Sequence, residues 1–334
     1  MQSITKNIGS AYSEPKKGDL KLEEIKKVLI IRPNHRLGNQ LLLTPIVQEV
    51  INTFPNCEVD LFVKGGVAFP VFENYESVNK IIPLPRKPFN NLFKYVKGWI
   101  SIKKKQYDLV INGDKNSSSG RLLTQLSKSN FKIFGEAYEA IENDYADYKH
   151  ISKYPIYNLR YYLKSLGISN VDKELPVLDI KLSNDEVLTG KGILDNITKN
   201  DKKTICIYTN ATGNKCYSED WWITFYNRLI ATYPNYNVIE MLPIENISKI
   251  NFQAPNFYSK DIREMAAIIK NTVVFIAADN GVMHLASASL TPTVGFFSVT
   301  NESVYAPYGN GSLAINTNNS NIDDWFKQLD IILN

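Results

Sequence analysis

Short apolar runs alternate with amphipathic segments along most of the chain, and this alternation predicts an α/β fold. The first run, KKVLIIRPN, predicts a buried strand, and the segment after it predicts a helix with a kink near Pro45. Further strands are predicted at CEVDLFV, KIIPL, YDLVING and KIFGE. Since helical segments separate several of these runs, we expect the first half to form a parallel sheet flanked by helices.

The second half repeats this pattern. Strands are predicted at TICIYTN, NVIEMLP, NFYS, VVFIAADN and TPTVGFFSV, and helices at EDWWITFYNRLIATY, DIREMAAIIKN and NIDDWFKQLDIILN. Between the halves lies a polar, Pro-containing segment of the kind that joins domains. Because 334 residues exceed the size at which one core usually stops growing, we expect a flexible leader at 1–24, an N-terminal domain at 25–175 and a C-terminal domain at 176–334.

Composition narrows the classes of protein. The 38 Lys and Arg against 34 Asp and Glu leave a formal charge of +4, too small to indicate nucleic-acid binding without a concentrated basic stripe. Three cysteines without a CxxC pair, together with three histidines, argue against a structural zinc site and for a reducing, cytoplasmic environment. No apolar run reaches the length of a membrane span, so any membrane contact is expected to be peripheral.

One basic, amphipathic stretch leaves two interpretations open. FNNLFKYVKGWISIKKKQYD places apolar side chains at helical spacing, with lysines around them. Such a helix would suit the anionic inner face of the inner membrane. The favoured interpretation is a helix that packs on the core and exposes its lysines to solvent.

Several catalytic motifs are absent from the sequence. It contains no GxGxxG, P-loop, GxSxG or HExxH, which argues against dehydrogenases, P-loop NTPases, α/β-hydrolases and zincins. It also lacks an Asp-x-Asp pair, the kind of carboxylate pair through which metal-dependent glycosyltransferases commonly hold a diphosphate. A metal-independent mode of diphosphate binding is therefore preferred.

A turn at the end of one predicted strand is the strongest candidate anion site. There, Asp279, Asn280 and Gly281 lead directly into a helix rich in small residues. Unpaired N–H groups and the positive end of the helix dipole would hold a diphosphate at this turn. The alternative is that Asp279 or Asn280 only caps the helix. His284 lies one helical turn further on, where it would either pack in the core or face the same anion.

This turn and the later YAPYG motif resemble the donor-site signature of glycosyltransferase family 9, the ADP-heptose lipopolysaccharide heptosyltransferases. The signature reads Asp, two small or polar residues, an apolar and a variable residue, then His, Leu and Ala. The run from Asp279 to Ala286 fits it. Tyr305 stands where the family commonly has Trp.

Two further segments of the second half resemble the family. TNATGNKCYSEDWW is similar to the loop whose Thr and Lys contact the donor diphosphate, which implies this role for Thr212 and Lys215. A hydroxyl and an ammonium would stabilise the charge that grows on the departing diphosphate. EMLPIENIS matches the place of a carboxylate that holds the donor ribose, which implies Glu245. Without the family, these residues would be interpreted as a solvated turn and a surface glutamate.

The first half resembles the family's acceptor-side motif through Arg36, Gly38, Thr44 and Pro45. The resemblance implies that this half binds the acceptor. We expect Arg36 and Gly38 to contribute to acceptor binding, together with Lys115 in the polar loop that follows a predicted strand.

Asn39 is the main departure from the family. The family has at this position the Asp assigned as the general base, and an amide cannot usefully accept the acceptor's proton. Three explanations stay open: His35 or Asp114 takes the proton, Asn39 only positions the acceptor hydroxyl, or the chain has lost catalysis. Loss of a general base typically lowers a rate by ~100- to 10,000-fold, which slows an enzyme without abolishing its activity.

The resemblance spans residues 26–310 and implies an α/β protein of GT-B architecture, in which two Rossmann-like parallel-sheet domains face each other across a cleft. It implies an inverting, metal-independent glycosyltransferase without a cofactor, which moves heptose from ADP-heptose onto a lipopolysaccharide core or a related surface glycan. Two alternatives are a catalytically silent nucleotide-sugar-binding homologue and a family member that uses a different donor sugar. An unrelated α/β enzyme is disfavoured because several separated motifs agree.

Overall fold

The chain folds into two compact units, which are described separately. In this computed structural model, the first unit spans Met1–Pro176 and the second spans Val177–Asn334. The structure describes residues 16–85, 98, 100, 102, 104–115, 117–168 and 173–333. Most of the basic stretch, at residues 89–108, lies outside the described residues, so both interpretations of it stay predictions. No helix in the described part of the chain combines the length and apolarity needed to cross a bilayer.

The first unit is built on a five-stranded parallel sheet in the order β3-β2-β1-β4-β5. Its strands are β1 (Lys27–Ile31), β2 (Glu58–Lys64), β3 (Val78–Leu84), β4 (Gln106–Asn112) and β5 (Lys128–Ile133). Its helices are α1 (Leu37–Leu41), α2 (Thr44–Thr53), α3 (Ala68–Val71), α4 (Ser118–Leu126), α5 (Glu139–Asp144) and α6 (Tyr154–Ser165), with a 3-10 turn at Leu22–Glu24. The predicted parallel α/β sheet of this half is therefore confirmed.

Strand β1 lies at the centre of this sheet. Residues 28–31 are fully buried, as expected for an apolar run covered on both faces. Strands β2 and β4 pair with β1 on opposite sides, so the strand order reverses between β1 and β4. Open α/β sheets bind ligands at the carboxyl ends of the two strands that flank such a reversal. The ends of β1 and β4 are therefore the place to look for a site in this unit.

The segment after β1 differs from its prediction. It forms two helices instead of one kinked helix, since α1 ends at Leu41 and α2 begins at Thr44. Pro45 occupies the first turn of α2, where its missing N–H breaks no helical hydrogen bond. The Thr44 hydroxyl donates to the Leu41 carbonyl at 2.7 Å and so links the two helices.

Two other expectations for the first unit were wrong. Residues 16–24, expected to belong to a flexible leader, pack on the unit: Leu20 is buried, and the Gly18 N–H donates to the Leu166 carbonyl at 3.1 Å. Strand β5 begins before the predicted KIFGE run and stops ahead of Gly135, whose φ of +78° is incompatible with a continuing strand.

The second unit is built on a six-stranded parallel sheet in the order β11-β10-β9-β6-β7-β8. Its strands are β6 (Thr204–Tyr208), β7 (Asn237–Leu242), β8 (Asn256–Tyr258), β9 (Val274–Ala278), β10 (Thr293–Phe297) and β11 (Leu313–Asn316). Its helices are α7 (Asn184–Thr198), α8 (Glu219–Thr232), α9 (Ile262–Lys270), α10 (Gly281–Ala288), α11 (Glu302–Tyr305) and α12 (Ile322–Leu333), with a 3-10 turn at Gly213–Lys215. The strand order is that of dinucleotide-binding folds, and it reverses between β6 and β9.

The predicted strands and helices of this half are present, and β11, α7 and α11 are additions. Strand β11 is only partly buried at the edge of the sheet, so it needs no long apolar run and left no clear signal in the sequence.

An aromatic cluster fixes helix α8 on the sheet. Trp222 and Phe225 of α8 are fully buried, and the Phe225 ring meets that of Phe296 edge-on, with 5.2 Å between centroids. The position of α8 in turn fixes one end of the loop that follows β6.

A partly buried ion pair joins α7 to α9. Ser183 and Glu186 form a capping box at the start of α7. The two carboxylate oxygens of Glu186 accept hydrogen bonds from Nε and Nη2 of Arg263, at 2.5 and 2.9 Å. The Arg263 hydrogen bonds hold the pKa of Glu186 far below its ordinary value, at about 2. Ionised Glu186 therefore stabilises the folded second unit.

We predict that Glu186→Gln lowers the free energy of unfolding at neutral pH. The folded pKa of Glu186 is depressed from 4.5, so its contribution is complete above that value and is lost as the pH falls towards about 2. With partial exposure taken into account, the loss at pH 7 should be about 2 kcal/mol. Urea unfolding of both proteins between pH 7 and 3 would measure it. A difference that does not shrink with falling pH would contradict this assignment.

Candidate functional site

The turn after β9 lies at the point where the sheet of the second unit reverses its strand order. Strands β6 and β9 are parallel neighbours, with Tyr208 opposite Ala277, so the loops that follow them leave the same edge of the sheet. Asp279 and Asn280 directly follow β9, and Gly281 begins α10. The sequence had placed this turn at a strand end on pattern alone, and the topology gives it the ligand-binding position of this fold.

Asn280 caps helix α10. Its Oδ1 accepts hydrogen bonds from the N–H groups of Val282 and Met283, at 2.7 and 2.8 Å. Its Nδ2 donates to the carbonyl of Asn210, in the loop after β6, at 3.0 Å. The expectation of unpaired N–H groups at this turn is thus wrong for these two, because the side chain of Asn280 already bonds them. Asn280 therefore caps α10, and its role in anion binding stays a prediction.

Asp279 joins three segments through one carboxylate oxygen. Its Oδ2 accepts from Lys215 Nζ at 3.0 Å and from Thr300 Oγ1 at 2.5 Å. Lys215 comes from the loop after β6, and Thr300 from the segment after β10. The carboxylate is almost fully buried, whereas the Lys215 side chain keeps 27% of its surface exposed. This arrangement holds a partly exposed ammonium at the strand-end edge, where it could meet an anion.

The other predicted donor residues differ in their surroundings. Thr212 is exposed at the start of the 3-10 turn that contains Lys215. Glu245 is exposed in the loop after β7, and its charge, after burial, is a cause of the raised pKa of the Tyr208 phenol at the end of β6. Glu245 therefore lies near the same strand ends. His284 is 96% buried within α10, and its role at the donor site stays a prediction.

In the first unit, a buried arginine directly follows β1. Arg32 is fully buried, and its Nη2 donates to Asn39 Oδ1 at 3.1 Å. Its Nη1 donates to the Gly113 carbonyl, after β4, at 3.3 Å. Asn39 thus supplies a neutral acceptor to a buried cation. The Nε of Arg32 has no hydrogen-bond partner within the part of the chain that the structure describes.

Asp114 is the carboxylate that the fold brings towards Arg32. Burial raises the pKa of the Asp114 carboxyl, and the nearby Arg32 guanidinium acts in the opposite direction. The phenol of Tyr154, at the start of α6, is buried beside both, and its pKa is raised by burial, with Asp114 adding to the rise and Arg32 opposing it. Lys115 Nζ lies 5.6 Å from the centroid of the Tyr148 ring. These groups gather at the predicted strand-end position of the first unit.

The remaining predicted residues of the first unit surround α1. His35 and Arg36 are exposed, and the Arg36 N–H donates to Asn34 Oδ1 at 3.1 Å. Gly38 is buried inside α1. Two residues, His35 and Asp114, are predicted to replace the missing base. The Arg32 guanidinium acts on the pKa of the Asp114 carboxyl. Their chemical roles stay predictions.

Three polar residues at these sites were missed from the sequence: Arg32, Tyr154 and Thr300. Arg32 and Thr300 follow buried strands within a few residues, so a search of every strand end would have found them. Tyr154 had no such signal, because it begins a helix far along the chain from β1 and β4. Across the described residues, no three His, Cys, Asp or Glu side chains are grouped in a way that could hold a metal ion.

The chain is a two-unit α/β protein, and in each unit polar side chains gather at the strand ends, where folds of this type bind ligands. Residues 258–330 match the model of glycosyltransferase family 9 (heptosyltransferase). Over 302 residues, the chain is 23% identical to the lipopolysaccharide core heptosyltransferase OpsX of Haemophilus influenzae, covering 86% of this chain and 83% of OpsX.

Solved structures show the same fold. The family 9 glycosyl transferase from Veillonella parvula aligns with a TM-score of 0.70 at 14% identity, covering 94% of this chain and 92% of that one. The E. coli heptosyltransferase WaaC with ADP aligns with a TM-score of 0.66 at 17% identity, covering 92% of this chain and 99% of that one. The resemblance to glycosyltransferase family 9 and the GT-B type of fold are confirmed.

The cap on α10 makes a prediction for Asn280. Asn280→Ala removes the acceptor of two N–H groups and should lower the free energy of unfolding by about 1 kcal/mol. Asn280→Asp keeps a side-chain oxygen for both groups and should cost less than about 0.5 kcal/mol. Chemical denaturation of the three proteins would measure this. An equal loss in both variants would show that the bond to Asn210, and not the cap, stabilises the turn.

Proposed function

We propose that the chain is an inverting, metal-independent glycosyltransferase that moves a sugar from a nucleotide diphosphate sugar, with ADP-heptose as the expected donor. The acceptor is proposed to be a lipopolysaccharide core or a related surface glycan. The second unit would bind the donor and the first unit the acceptor. The single observation that carries the donor site is Lys215 held by Asp279 at the strand-end edge. Asp279 lies inside the segment that matches the family model.

The donor chemistry follows from the charges at this edge. When the glycosidic bond breaks, negative charge grows on the departing diphosphate, and a positioned ammonium stabilises it. Asp279 fixes the direction of Lys215, and Lys215 can share its remaining N–H groups with phosphate oxygens because an ammonium has three donors. Gly281 lets a phosphate approach the start of α10, where the helix dipole is favourable. Thr212 would add a hydroxyl, and Glu245 would hold the ribose.

We further propose that Asp114 is the general base. A base needs a carboxylate that is ionised and yet basic, and two opposing effects act on Asp114: burial raises its pKa, and Arg32 favours the charged form. Asn39 would keep Arg32 in place through its amide oxygen. Arg36, Gly38 and Lys115 would bind the acceptor.

A second candidate function is binding without turnover. The observation that favours it is Asn39 itself, because a neutral amide stands where the family has its base. In this case the donor site would be retained and sugar transfer lost.

The donor site is tested by calorimetric titration with ADP, ADP-heptose and a panel of other nucleotide sugars. We expect one nucleotide sugar to bind, and Lys215→Ala to weaken binding by about tenfold or more, since hydrogen bonds to charged groups contribute about 1.5–3 kcal/mol. Lys249→Ala is the control, because its ammonium pairs with Glu219 at 3.2 Å and belongs to no predicted donor contact. Failure of the wild-type chain to bind any nucleotide or nucleotide sugar would overturn the proposed function.

The base is tested by comparing three variants in sugar transfer to a lipopolysaccharide core acceptor. Asp114→Asn should lower kcat by ~100-fold or more, as expected for loss of a general base. His35→Ala should retain kcat, and Asn39→Asp should change it little, because the base is already present. ADP affinity should be unchanged in all three. A large gain in kcat for Asn39→Asp would instead show that position 39 is where the base is missing.

A further inference from the structure

A fully buried carboxylate lies under the candidate donor site. Glu240 is in the middle of β7, and none of its surface is exposed. It pairs with Ile207 of β6, close to the carboxyl ends of both strands. No role follows for it from the sequence, where it is one residue of a predicted strand.

The two carboxylate oxygens of Glu240 bond two different loops. Oε1 accepts from the Thr209 hydroxyl at 2.6 Å, and Oε2 accepts from the Ser248 hydroxyl at 2.6 Å. Thr209 is the first residue after β6, and Ser248 lies in the loop after β7. One side chain thus connects both loops.

Each hydroxyl also accepts hydrogen bonds from the backbone of the second loop. Thr209 Oγ1 accepts from the Lys249 N–H at 3.1 Å. Ser248 Oγ accepts from the N–H groups of Ile250 and Phe252, at 3.1 and 3.0 Å. Because these N–H groups are donors, each hydroxyl can give its own hydrogen to Glu240. The network therefore requires an acceptor at both oxygens, which a carboxylate supplies and an amide does not.

A carboxylate is an unfavourable residue for this position unless it has a use. Its described partners are neutral hydroxyls, so no opposite charge offsets the loss of hydration. Burial raises the pKa of Glu240, and the bonds from Ser248 and Thr209 act against this rise. An apolar side chain would pack in the same core at a lower cost. Through these two hydrogen bonds, Glu240 can hold the loops after β6 and β7 in one arrangement.

We propose that Glu240 is a positioning residue for the donor site, which holds the loops after β6 and β7 in the arrangement that binds the nucleotide. This inference rests on the proposed function, because those loops carry Lys215 and Thr212 in one case and Glu245 in the other. Glu240 acts through Thr209 and Ser248 and does not touch the nucleotide.

The test is Glu240→Gln, which keeps the size of the side chain but places an NH₂ donor against one of the hydroxyls. We expect the Kd for ADP and the KM for the nucleotide sugar to rise by about tenfold, since a lost hydrogen bond to a charged group typically has an effect of this size. The kcat at saturating donor should stay within about twofold, because Glu240 contacts no reacting atom.

A matched control separates positioning from general stability. Asp60 of β2, in the first unit, is also a buried carboxylate, and it accepts from the Tyr107 hydroxyl and from the Lys105 ammonium, both at 2.8 Å. Asp60→Asn should lower the melting temperature, as Glu240→Gln does, while the Kd for ADP stays that of the wild type. Ser248→Ala removes one anchor of Glu240 and should also raise the Kd, which keeps the test decisive if Glu240→Gln does not fold.

The outcomes distinguish this inference from the proposed function. If Glu240→Gln and Ser248→Ala both bind ADP with the Kd of the wild type, the positioning role is overturned and the proposed donor site is unaffected. An equal rise in Kd for Asp60→Asn would also overturn it, because the effect would then follow stability alone. No binding of ADP by the wild-type chain would overturn both. A rise confined to the variants of Glu240 and Ser248, with kcat retained, would support the positioning role.

Discussion

The parallel pairing of β6 with β9 is the constraint on which the candidate donor site depends. Because these strands run side by side in the same direction, the loops that follow them leave one edge of the sheet together. Lys215 and Asp279 are 64 residues apart in the sequence, yet their charged atoms lie 3.0 Å apart. The same edge receives Thr300 from β10. The chemistry proposed for this unit therefore follows from strand order more than from any single local motif.

Buried charges mark the carboxyl ends of the strands in both units. Arg32 in the first unit and Asp279 in the second are almost fully buried, and each is bonded to a residue from another segment. Burial of a charge is costly unless hydrogen bonds replace its hydration, and here they do so partly across loops. Such groups fix loop positions that apolar contacts would leave loose. Glu240 represents the same principle with neutral partners.

Asn39 changes the balance of charge in the first unit. With an aspartate at this position, Arg32 would have a direct ionic partner at the distance now taken by the amide oxygen, 3.1 Å. With asparagine, the carboxylate that interacts with Arg32 is Asp114, which arrives from a different strand. Under the proposed function, the negative charge that the site needs would come from Asp114, after β4, instead of from position 39 in α1. This is the physical basis for the proposed exchange of the base.

The sequence by itself determined most of the strands, the two α/β halves and the residues that follow β9, since apolar runs and turn residues are local signals. It also identified Lys215 and Asp114 as candidates at strand ends. It could not determine that the Asn280 side chain accepts hydrogen bonds from two N–H groups of α10, or that residues 16–24 pack on the first unit. Nor could it find Arg32, Tyr154 or Glu240, because their meaning depends on partners from distant segments. Only the tertiary structure decided these contacts, since strand order, and not distance along the chain, determines which side chains meet.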